Sequence, residues 1–429
     1  MHSCIHDTIA AVWRLESARI VAVVARQVQD LGVAEELAQD ALVAALERWP
    51  REGLPENPAA WLTAAAKNRA LDHLRHRRMA QARHDDIARD LEALEAHVVP
   101  DFVDGLDAVR EDEIGDDLLR LIFTACHPVL STEARVALTL KLPCGLTTHE
   151  IARAFLVPEP TVAQRIVRAK RTLSEAKVPF ELPRGEVLGE RLASVLEVVY
   201  LVFNEGYTAT RGADWMRPAL CDEALRLGRV LVGLAPGHAE VLGLLALMEI
   251  QASRTAARTD AQGEPVLLAD QDRSRWDRLL IRRGLAALER ADAIGQPLGS
   301  YRLQAEIAAC HARAPRAQDT DWKRIASLYA ALMELAPSPV VELNRAVAVG
   351  MAEGPAAGLA IVEALLEDRA LQRYQWLPAV QGDLLDRLGR REEARAAFLR
   401  AAELAGNERE RELLERRAGM AQSLVTHLP

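Results

Sequence analysis

Between Gly145 and Leu173 the chain reads GLTTHEIARAFLVPEPTVAQRIVRAKRTL, a run that admits little besides two short helices joined by a tight turn. Thr147 and Glu150 stand at capping-box spacing: the hydroxyl can accept from the Glu150 amide while the carboxylate accepts from the Thr147 amide, so a helix starts here. Ile151, Ala152 and Phe155 supply its apolar stripe. Pro158 and Pro160 end that helix, and Pro160 suits the first turn of a second, where a missing N–H costs nothing. At about 100° per residue the second helix, Pro160 to Leu173, places Val162, Ile166, Ala169 and Leu173 on one arc. Gln164, Arg168 and Arg171 fall opposite, flanked by Thr161 and Arg165. Amide and guanidinium groups on an outward helix face can hydrogen-bond base edges and phosphates in a major groove, the task of the second helix of a helix-turn-helix. A solvated basic helix on an ordinary helical domain is the competing reading.

The net charge of −9 is wrong for a protein whose whole surface grips nucleic acid, so any DNA contact must come from local basic patches. The acid is concentrated elsewhere: Asp85 to Asp117 holds 13 Asp or Glu against 2 Arg, which reads as a linker or repelling arm. The 429 residues suffice for two to four domains, and half of them are apolar, so ordered cores are expected. Cys4, Cys126, Cys144, Cys221 and Cys310 lack CxxC spacing, and an odd, sparse count points to a reducing cytosol. With no signal-peptide pattern and no apolar run of membrane-spanning length, a cytoplasmic protein that does not engage a membrane is expected. His2, Cys4 and His6 lack a fourth ligand and a scaffold, so no metal is expected there.

From about Ile9 to Arg83 the periodicity is helical. Val33 to Trp49 (VAEELAQDALVAALERW) turns Leu37, Ala41, Leu42 and Ala45 inward and leaves Glu35, Glu36, Gln39 and Asp40 exposed. A turn-rich loop, Pro50 to Pro58, follows, with Asn57 as N-cap and Pro58 at the first position of the next helix. That helix carries Trp61, Ala65, Asn68, Asp72 and Arg75 along one stripe, with Lys67 and Arg69 beside it and Arg75, Arg77 and Arg78 at its end. Cations there complement the helix dipole. A Pro/Gly loop beside Trp49 and Trp61 that leads into a basic helix also fits single-stranded DNA, whose bases stack on aromatics.

The order VAEELAQDAL, turn-rich loop, WLTAAAKNRALDHLRHRR, acidic spacer, LTLKLPCGLTTHEIARAFLVPEPTVAQRIVRAKR resembles the extracytoplasmic-function (ECF) sigma factors of bacterial RNA polymerase. The resemblance implies an all-α protein with four parts: region 2 over 1–84, an acidic linker over 85–113, region 4 over 114–178 and a C-terminal domain over 179–429. It implies the polymerase core (the β′ clamp and the β flap) and promoter DNA as partners, and no cofactor. Glu35, Glu36, Gln39 and Asp40 become core contacts. Trp61, Lys67, Asn68, Asp72 and Arg75, with the loop before them, become the −10 site, where unstacking costs a few kcal/mol per step. Thr161, Gln164, Arg165, Arg168 and Arg171 become the −35 site. Pro160 departs from the glycine the family often carries.

A helix is expected to begin near Asp116 to Leu119, with Cys126 and His127 packed inside it or at its end. Beyond Ala176, Val187, Leu188, Leu192, Val195, Leu196, Val199 and Val202 suggest a buried helix stopping at Asn204 to Gly206; a strand over Val198 to Phe203 competes. LVGLAPGHAEVLGLLAL (Leu231 to Leu247) and LMELAPSPVVELNRAVA (Leu332 to Ala348) share an L-A-P junction, roughly three tetratricopeptide periods of about 34 residues apart. Leu385 to Leu404 fits one such repeat, with Gly389, Ala394 and Ala401 at its small positions. A helical-repeat domain follows, interrupted at Ala261 to Asp272 and Ala314 to Asp321. YLVFNEGYTAT (Tyr200 to Thr210), DQDRSRWD (Asp270 to Asp277) and TDW (Thr320 to Trp322) resemble the ECF subgroup with a C-terminal tetratricopeptide-like extension, which implies regulation through that domain by a protein or small-molecule partner. Asn204, Glu205 and Tyr207 could line a groove there or merely shape a helix end. A duplex-binding helix-turn-helix regulator is the alternative. An enzyme is not expected, since HExxH, GxSxG, P-loop and Rossmann patterns are missing.

Overall fold

The computed structural model describes residues 2–88, 111–155, 157–209 and 215–423. Most of the expected acidic spacer, 89–110, lies outside the described residues, as does Thr210. Contacts divide the chain into two compact units, Met1–Val198 and Val199–Pro429. The described residues form eighteen α-helices and no strand.

In the first unit α1 (His2–Val28), α2 (Leu31–Glu52) and α3 (Pro58–Ala88) pack together. Asp30 caps α2 by accepting from the amides of Gly32 and Val33 at 2.8 and 3.1 Å. Ala34, Ala38, Ala41, Ala45 and Trp49 recur at helical spacing and are buried against α1 and α3. The small residues let the helices approach closely. This stripe differs from the expected one: Leu37 and Leu42 are only half-buried, and Glu35 is buried. Pro50 lies within the last turn of α2, so the loop is shorter than its composition suggests and spans 53–57. Asn57 caps α3 by accepting from the Ala60 amide at 3.0 Å, a bond worth about 1 kcal/mol.

The same unit continues with α4 (Glu111–Ala125), α5 (Thr132–Lys141), α6 (Thr148–Phe155), α7 (Glu159–Glu175) and the start of α8 (Glu186–Tyr207). α4 begins earlier than Asp116, and Cys126 and His127 follow its last residue. Cys126 is fully buried, its sulfur 3.2 Å from the Thr139 hydroxyl, and burial pushes its thiol up to about 11. That is a packing role, and no reactive thiolate forms at neutral pH. Ser194 donates to the Cys126 carbonyl at 2.7 Å and Arg191 donates to the Phe123 carbonyl at 2.7 Å. Together they close the end of α4.

The second unit is a succession of helices: α9 (Pro218–Leu234), α10 (Ala239–Ala252), α11 (Arg278–Ala293), α12 (Ser300–Arg313), α13 (Trp322–Leu335), α14 (Pro339–Ala352), α15 (Pro355–Leu365), α16 (Trp376–Arg387), α17 (Arg391–Leu404) and α18 (Glu408–Ser423). Neighbours in sequence pack as hairpins, as repeats require. The two L-A-P junctions adopt one conformation. Ala235 (φ −133°, ψ 57°) and Ala336 (φ −142°, ψ 76°) each end a helix by donating to a leucine carbonyl, and the following proline turns the chain. Val198 to Phe203 is helical, part of α8. The irregular stretch expected over Ala261 to Asp272 is non-helical and lies between 3-10 turns at Thr255–Ala257 and Arg273–Arg275, and the one over Ala314 to Asp321 contains a 3-10 turn at Ala317–Asp319. Gly206 brings α8 against α9 so closely that a Cβ there would sit 2.6 Å from the Cys221 amide nitrogen.

Candidate nucleic-acid interface

The capping box forms as the spacing dictates. The Thr147 amide donates to Glu150 Oε2 at 2.8 Å and the Glu150 amide donates to Thr147 Oγ1 at 3.1 Å, which holds the Glu150 carboxyl below its ordinary range. Pro160 occupies the first turn of α7. Val162, Ile166, Ala169 and Leu173 are all buried, which fixes the rotation of α7. Its outer arc therefore presents Thr161, Gln164, Arg168 and Arg171 to solvent, with Arg165 half-buried at the edge. Thr161, Gln164, Arg165 and Arg168 line one recess with Val129, Leu130 and Ser131, which lead into α5. Val167, 63% exposed, stands among the arginines, although hydropathy alone would place a valine inside. An apolar group at that place can meet a thymine methyl. Arg171 is not free: its Nε donates to Glu175 at 2.6 Å on the same helix.

On α3, Asn68, Asp72 and Arg75 are exposed, Lys67 is half-buried, and Arg77 and Arg78 extend the cationic end. Asp72 and Arg75 form an exposed pair at 3.3 Å. The two tryptophans do not share a role. Trp49 is 1% exposed and meets Trp61 edge-on, ring centres 5.3 Å apart, so only the half-buried Trp61 can reach a base. Apolar packing against α1 and α3 drew Trp49 inward.

Glu36, Gln39 and Asp40 are exposed on α2, as the helical pattern requires. Glu35 is not. Lys170 of α7 pairs with its Oε2, Lys141 stands 3.7 Å from its Oε1, and Gln39 donates to Oε1 at 3.1 Å. Ser174, also on α7, donates to the second oxygen of Asp30, the α2 cap, at 3.0 Å. Arg26 of α1 reaches the buried Asp117 of α4 at 3.5 Å. The helices α4 to α7 thus rest on the exposed side of α1 and α2. Neither the burial of Glu35 nor the part of Lys170 has a local sequence signal, since their pairing spans 135 residues.

Among the described residues no three His, Cys, Asp or Glu side chains group as a metal site would need, and no helix is long and apolar enough to cross a membrane.

Comparison with known proteins bears on these surfaces. Residues 12–79 match Sigma-70 region 2 and residues 120–173 match Sigma-70 region 4. The RNA polymerase sigma-H factor of Pseudomonas aeruginosa is 30% identical over 163 residues, which are 38% of this chain and 82% of that factor. The probable ECF RNA polymerase sigma factor SigI of Mycobacterium tuberculosis is 31% identical over 175 residues, 40% of this chain and 57% of the relative.

The chain belongs to the ECF sigma factors of RNA polymerase.

The sigma factor's region 2 match covers most of α1, all of α2 and most of α3, and its region 4 match runs from within α4 through most of α7. Both basic surfaces described above thus fall inside DNA-binding modules of a transcription initiation factor, which is not an enzyme. Beyond these, residues 191–292 match a family of unknown function (DUF6596), and an uncharacterized protein of Rhizobium meliloti is 46% identical over 383 residues, 89% of this chain and 88% of the relative. The extension is therefore shared with a relative that follows the sigma factor almost end to end.

Proposed function

We propose that this sigma factor binds core RNA polymerase through the outer face of α2, with Glu35, Glu36, Gln39 and Asp40 as contacts, and directs initiation at promoters that its two modules read. Trp61, Lys67, Asn68, Asp72 and Arg75 hold the opened −10 strand; Thr161, Gln164, Arg165, Arg168 and Arg171 read the −35 duplex. The parts are region 2 over 1–84, the acidic linker over 85–113, region 4 over 114–178 and a regulatory extension over 179–429. The protein works where the polymerase is, in the cytoplasm.

The observation that carries the reading is the outward face of α7, whose rotation is set by four buried apolar residues within a matched region 4. The burial of Glu35 adds a condition. A core contact that is already paired with Lys170 and Lys141 must exchange those partners, so the packed arrangement is a closed form and core binding releases α7 from α2. The test is reconstitution: purified protein with core enzyme should give transcripts from selected promoters. Duplex binding without core association would instead support a stand-alone regulator.

A further inference from the structure

Several arginines in the second unit, buried or partly exposed, are neutralised by carboxylates. Arg302 meets Asp292 at 2.6 Å, Arg217 pairs with Glu205, and Glu249 receives Arg229 and Arg283 at 3.0 and 3.3 Å. One cluster differs. Arg258, 5% exposed, lies 3.5 Å from the centre of the Tyr207 ring and 4.5 Å from that of Trp215, and donates to the Tyr207 carbonyl and the Thr208 hydroxyl. Arg273, 7% exposed, donates to the carbonyls of His311 and Ala314 and to the Thr320 hydroxyl. Between them Arg254 lies 5.7 Å from the Tyr207 ring centre and 6.0 Å from that of Trp276.

Among the described residues none of these three guanidinium groups has a carboxylate within ion-pair distance. Glu410 acts on Arg258 and Asp319 on Arg273 only from farther off, and Asp319 is already paired with Arg316 at 2.8 Å. Arg258 and Arg273 spend their donors on carbonyls and hydroxyls, which anchor them without cancelling charge. Arg254 has no such anchor. Its Nε is buried without an acceptor, and so are the Nε of Arg273 and the indole N–H of Trp276, a residue only 3% exposed. Like charges gathered in a low-dielectric pocket repel, so the arrangement costs stability unless something negative enters it. The neighbours register that field: burial first, then Arg254 and Arg273, push His311 down to about 3.

The place is open to solvent. Tyr200, Asn204, Tyr207, Gln251, Arg254 and Tyr329 each keep part of their surface exposed, yet protein surrounds Tyr200 and Tyr329 closely enough that burial raises both phenols, Tyr329 to about 12. These partly exposed side chains border Arg254. Three stretches that the sigma activity leaves unexplained, those around Tyr200–Thr208, Asp270–Asp277 and Thr320–Trp322, converge on it.

We propose that this recess is an anion-binding site in which Arg254 receives the carboxylate or phosphate group of a ligand, with Arg258 and Arg273 held behind it as fixed positive charge. The site stands apart from core and promoter binding, so its test needs no polymerase. Full-length protein and Arg254→Gln are unfolded thermally at constant ionic strength in chloride, inorganic phosphate, succinate and a short Asp/Glu-rich peptide. In wild type at least one of the three anionic probes should raise the unfolding temperature of the second unit by about 3–6 °C at ten times its dissociation constant. Arg254→Gln should lose the response while being at least as stable as wild type in chloride, because a like-charge neighbour has been removed. A response to phosphate alone identifies a phosphate ligand; a response to succinate or only to the peptide identifies a small carboxylate or an acidic segment. Equal responses in both proteins, none in wild type, or a variant less stable than wild type in chloride would overturn the proposal.

Discussion

Lys170, on the helix whose other face is the −35-reading candidate, is ion-paired to Glu35, on the helix whose outer face is the core-docking candidate. One salt bridge therefore joins two helices that the proposed function gives to different partners. Glu35 is 7% exposed and Lys141 provides a second cation, so taking either lysine's charge away leaves a buried carboxylate poorly compensated.

Charge reversal at Lys170 tests the closed form. Lys170→Glu faces Glu35 with a like charge and should lower the stability of the first unit by about 1–3 kcal/mol while raising the rate of core association. Stopped-flow binding to core enzyme against a thermal melt separates the two effects. Unchanged association kinetics in a folded Lys170→Glu protein would mean that α7 does not restrain α2.

The α7 arginines should contribute unequally. Arg171 must leave Glu175 to reach DNA, whereas Arg168 is exposed and, among the described residues, has no side-chain partner on α7. Arg168→Ala should cost about 1–3 kcal/mol in −35-dependent binding, and Arg171→Ala less. Both variants should keep core affinity. Promoter binding by the core–sigma complex, measured with intact and scrambled −35 sequences, distinguishes a reading role from general loss.

Trp49 and Trp61 touch but should respond differently to truncation. Trp49→Ala removes a fully buried ring and should destabilise the first unit by about 3–5 kcal/mol. Trp61→Ala should cost less stability and instead reduce strand opening, about 1–3 kcal/mol per lost base stack. Permanganate reactivity of opened promoters beside a denaturant titration reads both quantities.

His311 predicts an acid limb in the stability of the second unit. Its folded value, about 3, lies below its ordinary value of 6.5, so the unfolded chain binds the extra proton between those two pH values. Stability is thus intact above about pH 6.5 and falls as pH drops toward 3, by up to about 1.4 kcal/mol per unit. His311→Gln should flatten that slope, which denaturant titrations from pH 7 to 4 would reveal.

Much of the fold was legible because it rests on local rules. A capping box needs only Thr147 and Glu150, a proline in a first turn needs only its neighbours, and the rotation of α7 follows from the spacing of four apolar residues. The L-A-P turns and the helical nature of the extension were readable for the same reason. Local pattern misjudged α2, where alanines pack and the leucines stay half out, since a close helix–helix approach selects small residues that hydropathy ranks low.

Sequence by itself therefore determined where helices begin and end, which face of α7 is polar, and that two DNA-binding modules precede a helical-repeat extension. Tertiary structure decided what those faces meet: that Glu35 is held by Lys170, that Trp49 is core while Trp61 stays half-buried, and that Arg254, Arg258 and Arg273, carried by segments with no common motif, gather around the same aromatic rings. The physical reason is range. Caps and periodicity act over a few residues, whereas charge and burial depend on whatever the folded chain brings within a few ångströms, and that partner can lie more than a hundred residues away in sequence.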